Sequence, residues 1–234
     1  MYTALDFEDK RQALEFLKEN NLNQIPVKVG MELFYKEGPA VIYDLKERGH
    51  SIFLDLKLHD IPQTVNRAMK NVASLGVDVV NVHASGGKKM ISAAREGLME
   101  GSVNEDCRPL LLAVTQLTST DQTMLSNELL LPHTVEESVT HLAELSQSGG
   151  ADGVVCSVKE IKMIKQACGN EFFTITPGIR KSEEDQHDQK RVAAPFEAGR
   201  DGTDAIVVGR SITEADDPFH TYQLIKEEFI HGKQ

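Results

Sequence analysis

Short apolar runs alternate with stretches of helical periodicity along nearly all of the 234 residues. Residues 2–7, 26–30, 52–58, 78–83, 109–115, 153–156, 172–176 and 205–208 have the length and β-branched content of buried strands. Helical patterns follow each of them. Ala13, Leu14 and Leu17 mark one within 8–19, and a second spans about 38–48. Val65, Met69 and Val72 mark the third, ended by Gly76, and Met90, Ile91, Ala94 and Leu98 the fourth. Capping boxes open the next two, Thr134 with Glu137 and Ser157 with Glu160. The last two span about 191–199 and the stripe Phe219, Tyr222, Ile225 and Phe229. Parallel strands need crossover helices, so eight strand-helix units predict a (β/α)8 barrel, with a doubly wound sheet as the runner-up. No linker or composition break divides residues 1–234, and one barrel domain accommodates that length.

The most informative unit is 51–64, SIFLDLKLHDIPQT. Alternation puts Ile52, Leu54, Leu56 and Leu58 on one face and Phe53, Asp55 and Lys57 on the other. Such a strand is too apolar for a solvated edge, so its charges must be paired or functional; an ion pair that only fixes the fold is the plainer reading. Asp60 follows where the strand turns into a helix, completing a DxKxxD array. Asp6 ends the first strand between Leu5 and Phe7, and Lys28 lies between outward Val27 and Val29. In a barrel, Asp6, Lys28, Asp55 and Lys57 converge on the mouth formed by the strands' C-terminal ends. A one-residue register error would turn any of them into a surface charge. Asn81 and His83 face inward on strand four, as partners of this array or as core fillers.

Strands seven and eight run into TPGIR and VVGRSIT, each delivering a glycine and then an arginine, Arg180 and Arg210, to the same end. Barrels commonly hold a phosphate on these two loops, where Gly209 allows close backbone approach and Arg210 a bidentate contact. One Gly-Arg pair is more often a turn; two at matched strand ends predict an anion site. The polar segment 182–190 between them suits either a closing lid or a plain surface loop. A net charge of −11 argues against nucleic acid as a partner. Cys107, Cys156 and Cys168 have no CxxC spacing and read as reduced packing residues. MYTALDF carries no basic and apolar leader, and no run is long enough to span a membrane, which predicts a cytoplasmic protein.

VKVGMEL, FLDLKLHDIPQT, VTQLTS, TPGIR, DQKRV and VVGRSIT, in this order, resemble the bacterial orotidine 5′-phosphate decarboxylases across nearly the whole chain. The resemblance implies a homodimeric barrel that converts orotidylate to uridylate and CO2 in pyrimidine biosynthesis, with no metal and no organic cofactor. It implies Lys57 as proton donor, Asp55 and Asp60 as flanking carboxylates, and Lys28 and Asp6 as ribose ligands. Thr118 would lie beside the pyrimidine, and Gln189, Arg180, Gly209 and Arg210 around the base and phosphate. Asp60 and Thr64 would reach the neighbouring subunit's site. His187 and Ala194 depart from the family's usual glycine and threonine, which bears on lid closure and not on the reaction.

Losing CO2 from the sixth ring position leaves an electron pair in the ring plane, which needs fixed positive charge and a proton. Lys57 can supply both, and Asp55, close to the substrate carboxylate, would disfavour the ground state. Two other readings stand beside this one. Magnesium-dependent sugar-phosphate decarboxylases and hexulose-phosphate synthases also carry DxKxxD, with a glutamate on strand two where this chain has Lys28. A non-catalytic phosphate-binding barrel would need the arginine loops but not Lys57.

Overall fold

The computed structural model describes residues 1–180 and 192–234. Strands β1 (Tyr2–Ala4), β2 (Val27–Gly30), β3 (Ile52–Leu58), β4 (Val79–His83), β5 (Leu110–Val114), β6 (Gly153–Val155), β7 (Phe173–Thr176) and β8 (Ala205–Val208) pair in chain order. Parallel pairing of β1 with β8 closes them into a barrel. The fold is therefore a (β/α)8 barrel, and the doubly wound alternative is excluded.

Strand alternation separates two apolar layers. Val27, Val29, Ile52, Leu54, Ile206 and Val208 point outward into the core shared with the helices. Phe53, Leu112, Val114, Ile175 and Val207 fill the barrel interior. The expected outward positions of Leu5 and Phe7 are also found. Helices Pro62–Ala73 and Gly87–Gly101, behind β3 and β4, pack so closely that a Cβ on Gly97 or Gly101 would collide with the carbonyls of Asn66 or Lys70.

Several boundaries differ from the sequence reading. The first strand stops at Ala4, so Asp6 stands beyond its end. The helix expected over 38–48 is Pro39–Glu47, and a separate helix, Met31–Glu37, precedes it, the chain turning at Gly38. The segment after β5 carries the short helix Gln122–Asn127, capped by Asp121. The helix expected over 191–199 is Pro195–Arg200, residue 191 lying outside the described residues. The Thr134–Glu137 capping box forms in both directions, and Glu160 accepts from the Ser157 amide.

The end of the barrel opposite the mouth is tied by a repeated device. Asp78, Asp152 and Asp204 immediately precede β4, β6 and β8, and each accepts a main-chain N–H near the start of the preceding strand, Ile52, Leu111 and Thr174, at 2.7 Å. Each carboxylate also meets a cation, Lys46, Arg108 or Lys165. Arg108 binds Asp152 through two nitrogens, at 2.7 and 2.8 Å. Burial pushes the Asp152 carboxyl up, but hydrogen bonds from Arg108 and Leu111 and the charges of Arg108 and Arg95 outweigh it and hold it below the usual carboxylate range. Asp152→Ala leaves Arg108 and the strand amide without their acceptor. It should cost about 3 kcal/mol, lowering the thermal midpoint by roughly 6–12 °C. A melting curve that coincides with wild type would contradict this role.

Candidate active site

Asp55 is the centre of the mouth. Its Oδ1 accepts from Lys57 Nζ at 2.6 Å and from Asn81 Nδ2 at 2.7 Å. Its Oδ2 lies 3.5 Å from Lys28 Nζ, which donates to Asp6 Oδ1 at 3.1 Å. The four charges expected at one mouth are thus in line, alternating Asp6, Lys28, Asp55, Lys57. Lys28 and Asp55 are almost wholly enclosed, while Asp6 is 62% exposed and forms the wet end of the line.

Burial works against the charge on Lys28, yet the Asp6 and Asp55 carboxylates hold its ammonium above the ordinary lysine range. Burial likewise pushes the Asp55 carboxyl up. The charges of Lys28 and Lys57, with hydrogen bonds from Lys57 and Asn81, more than reverse it and keep Asp55 below the usual carboxylate range. Both groups are therefore ionised at neutral pH, in a fixed pattern of alternating sign.

Lys57 departs from the regular strand assumed for it. Its side chain faces inward as alternation requires, but its φ is 52°, in the left-handed region, and the pairing of β3 with β4 shifts register there. A non-glycine residue in that conformation costs about 1–3 kcal/mol and persists only where its surroundings enforce it. Asn81 is the enforcing neighbour: it is fully buried, and its Oδ1 accepts from the Lys57 amide at 2.8 Å. The sequence had left Asn81 between core filler and partner, and its contacts make it a partner. His83, half-buried at the end of β4, packs its ring near His59, centroids 5.8 Å apart. Burial, then His59 and Lys57, lower its pKa.

A cavity of about 320 Å³ opens above this array. Phe53 and Val155 contribute apolar surface from the barrel interior, and Gln116 and Thr118 approach from the loop after β5. Gly178 and Arg180 after β7, and Gly209 and Arg210 after β8, reach the same space. Gly178 has a φ of 77°, the turn that redirects β7 toward Arg180, whose amide bonds the Ala193 carbonyl at 3.1 Å. Arg180 is only 8% exposed, and its Nε has no hydrogen-bond partner among the described residues. A buried guanidinium with an unused donor at a cavity wall suits an anion.

Two of the expected residues, assigned by the resemblance to a neighbouring subunit's site, lie away from this chain's own cavity. Asp60 and Thr64 are exposed and line no part of this cavity. Asp60 Oδ1 accepts from the Ile61 amide at 2.6 Å, so within one chain the DxKxxD motif contributes two of its three charges to the array. Gln189, His187 and the segment 182–190 lie outside the described residues.

Residues 1–225 match the model of the family described as "Orotidine 5'-phosphate decarboxylase / HUMPS family". The chain belongs to that family. Two curated relatives named "Orotidine 5'-phosphate decarboxylase", from Bacillus thuringiensis subsp. konkukian and Bacillus mycoides, are each 53% identical to it over 229 residues, covering 98% of this chain and 96% of theirs. Among solved structures, the orotidine 5′-phosphate decarboxylase of Lactobacillus acidophilus superposes with a TM-score of 0.86 at 42% identity, covering 98% of each chain. An uncharacterized conserved protein from Geobacillus kaustophilus gives 0.87 at 46% identity, covering 97% of this chain and 99% of its own.

For this member of the orotidine 5′-phosphate decarboxylase / HUMPS family, the alternating charges define a pH window. Asp55, held low, contributes stability above about pH 4 that disappears as pH falls through its folded-state value. Lys28, held high, contributes stability below about pH 10 that disappears as pH rises through its own. Lys28→Met should therefore cost about 2–4 kcal/mol between those limits and progressively less outside them, measured by denaturant unfolding across pH. A penalty independent of pH would mean that lost packing, not charge, sets the effect.

Proposed function

We propose that the protein decarboxylates orotidine 5′-phosphate to uridine 5′-phosphate, as the names of its relatives suggest, in pyrimidine biosynthesis in the cytoplasm. The observation that carries the reading is the Asp6–Lys28–Asp55–Lys57 line beneath a cavity walled on the far loops by Arg180 and Arg210. A nucleoside monophosphate has the matching polarity: a phosphate for the arginine loops, ribose hydroxyls for Lys28 and Asp6, and a base beside Thr118.

In the proposed reaction the bond from C6 to the carboxylate breaks, the electron pair stays on C6, and CO2 departs. Lys57 Nζ gives its proton to C6, and solvent later reprotonates the amine. Positive charge already fixed by Asp55 stabilises the carbanion without reorganisation at the moment of reaction. Asp55 also presses like charge toward the departing carboxylate, lowering the barrier from the ground-state side. Gln189 and Gly209 complete the contacts to base and phosphate, and phosphate binding supplies remote energy for closing the site.

The reaction so written needs neither metal nor organic cofactor. Lys28 takes the place where a magnesium-dependent relative needs a carboxylate, and its ammonium repels a divalent cation. Asp55 is already engaged by two ammonium groups and an amide. Turnover of orotidylate should proceed undiminished in excess chelator, followed by loss of its absorbance. Chelator-sensitive turnover would favour the magnesium reading, and tight phosphate-ligand binding with no turnover the non-catalytic one. Lys57→Ala should retain uridylate binding while losing more than about 99% of the rate, since it deletes the proton source but no phosphate contact.

Exposed Asp60 and Thr64 fit a homodimer with shared sites, each helix start reaching the partner's cavity. Lys57→Ala and Asp60→Ala should then be nearly inactive separately. Mixed and exchanged, they should recover about a quarter of wild-type activity, because half the dimers are hybrids with one intact site. No recovery after exchange verified by mass would place Asp60 at its own chain's site.

A further inference from the structure

We infer that Asn81 is a positioning residue for the reaction, its one amide group locking both the Lys57 main chain and the Asp55 carboxylate in their working geometry. The kinetic arm of this inference rests on the decarboxylase reading above; the structural arm does not.

The register of β3 against β4 shows why an amide is needed. Leu54 pairs with Val80, and Leu58 pairs with Val82, so four positions of β3 run opposite two of β4. Regular parallel pairing would have put Leu56 opposite Val82. The two extra residues throw the backbone into a bulge, and Lys57 within it adopts φ 52°. A partly buried N–H removed from the ladder needs another acceptor. Asn81 Oδ1 provides it at 2.8 Å from inside the barrel.

The other end of the same side chain is equally specific. Asn81 Nδ2 donates at 2.7 Å to Asp55 Oδ1, the oxygen that also accepts from Lys57 Nζ at 2.6 Å. That donor fixes the carboxylate's rotation, which in turn leaves Oδ2 toward Lys28. Asparagine is suited to both tasks because its amide carries an acceptor and a donor on one rigid plane. Leucine would fill the volume but leave a main-chain donor and an ionised carboxylate short of partners, and aspartate would set a second carboxylate against Asp55. Asn81 is 0% exposed and does not line the cavity, so it acts through Lys57 and Asp55 and not on substrate.

The test compares Asn81→Ala and the nearly isosteric Asn81→Asp with wild type. In Asn81→Ala, kcat should fall about 10- to 100-fold while KM stays within about threefold, because the proton donor is displaced but the phosphate loops are intact. Asn81→Asp should be impaired at neutral pH and recover relative to wild type as pH falls. Its introduced carboxyl, when protonated, again offers a donor and an acceptor. The charged or titratable groups around that position are Asp55 and Lys57 on β3, Lys28 beyond Asp55 on β2, and His83 with its neighbour His59; inward Leu112 and Val114 on β5 are apolar.

Amide hydrogen exchange in the ligand-free protein supplies the arm independent of activity. Protection of the Lys57 amide should drop at least about tenfold in Asn81→Ala, beyond any general change in the barrel. If Asn81→Ala does not fold, Asn81→Leu, which fills the volume without an acceptor, supplies the exchange measurement, and the Asn81→Asp pH profile supplies the kinetic one. Unchanged Lys57 protection, or kcat and KM shifting together with no low-pH recovery of Asn81→Asp, would overturn the inference. A wild-type protein that turns over no orotidylate would instead remove the decarboxylase reading, and the exchange result alone would then judge the role of Asn81.

Discussion

One largely enclosed carboxylate, Asp55, holds the mouth of this barrel together. Taken out of water alone, it would give up its charge; with Lys57 and Asn81 on one oxygen and Lys28 facing the other, it stays ionised. Three elements must agree for that. The alternation of β2 aims Lys28 inward, the alternation of β3 puts Lys57 beside Asp55, and β4 brings Asn81 beneath both, against the bulge in β3. Removing a single partner leaves charge in a low-dielectric space, which is why breaking such an array is far more costly than never having built it.

The two ends of the barrel use carboxylates differently. Asp78, Asp152 and Asp204 each bind a strand amide and a cation, and so tie successive strands together away from the cavity. Among the described residues Asp55 binds side chains only, and those side chains converge on open space. This is the separation expected of a barrel whose N-terminal face stabilises and whose C-terminal face carries chemistry. It also explains how a strained main chain at Lys57 is tolerated, since the tying interactions lie at the other end.

Most of the fold was legible because strand alternation is a strong, local signal. Phe53, inward between Ile52 and Leu54, and Lys28, inward between Val27 and Val29, were placed from pattern alone. The bulge was not legible, since the side chains of Leu56, Lys57 and Leu58 face the same ways in a bulged strand as in a regular one; only the pairing with β4 distinguishes them. Asn81 was recognisable as a polar residue at an inward position, but its two partners depend on that same pairing. Asp60 was grouped with Lys57 by spacing, whereas the turn between β3 and the helix Pro62–Ala73 carries it out to solvent. The helix Met31–Glu37 escaped because it is short and shows little buried face beyond Leu33.

The central claim is that this mouth holds a nucleotide with the reacting carbon at Lys57 and the phosphate at the arginine loops. A crystal structure with uridine 5′-phosphate bound tests it most directly. The phosphate should contact Arg180 and Arg210, the ribose should meet Lys28 and Asp6, and C6 should lie within about 3–3.5 Å of Lys57 Nζ. A nucleotide bound with its phosphate over Lys57, or outside this cavity, would contradict it.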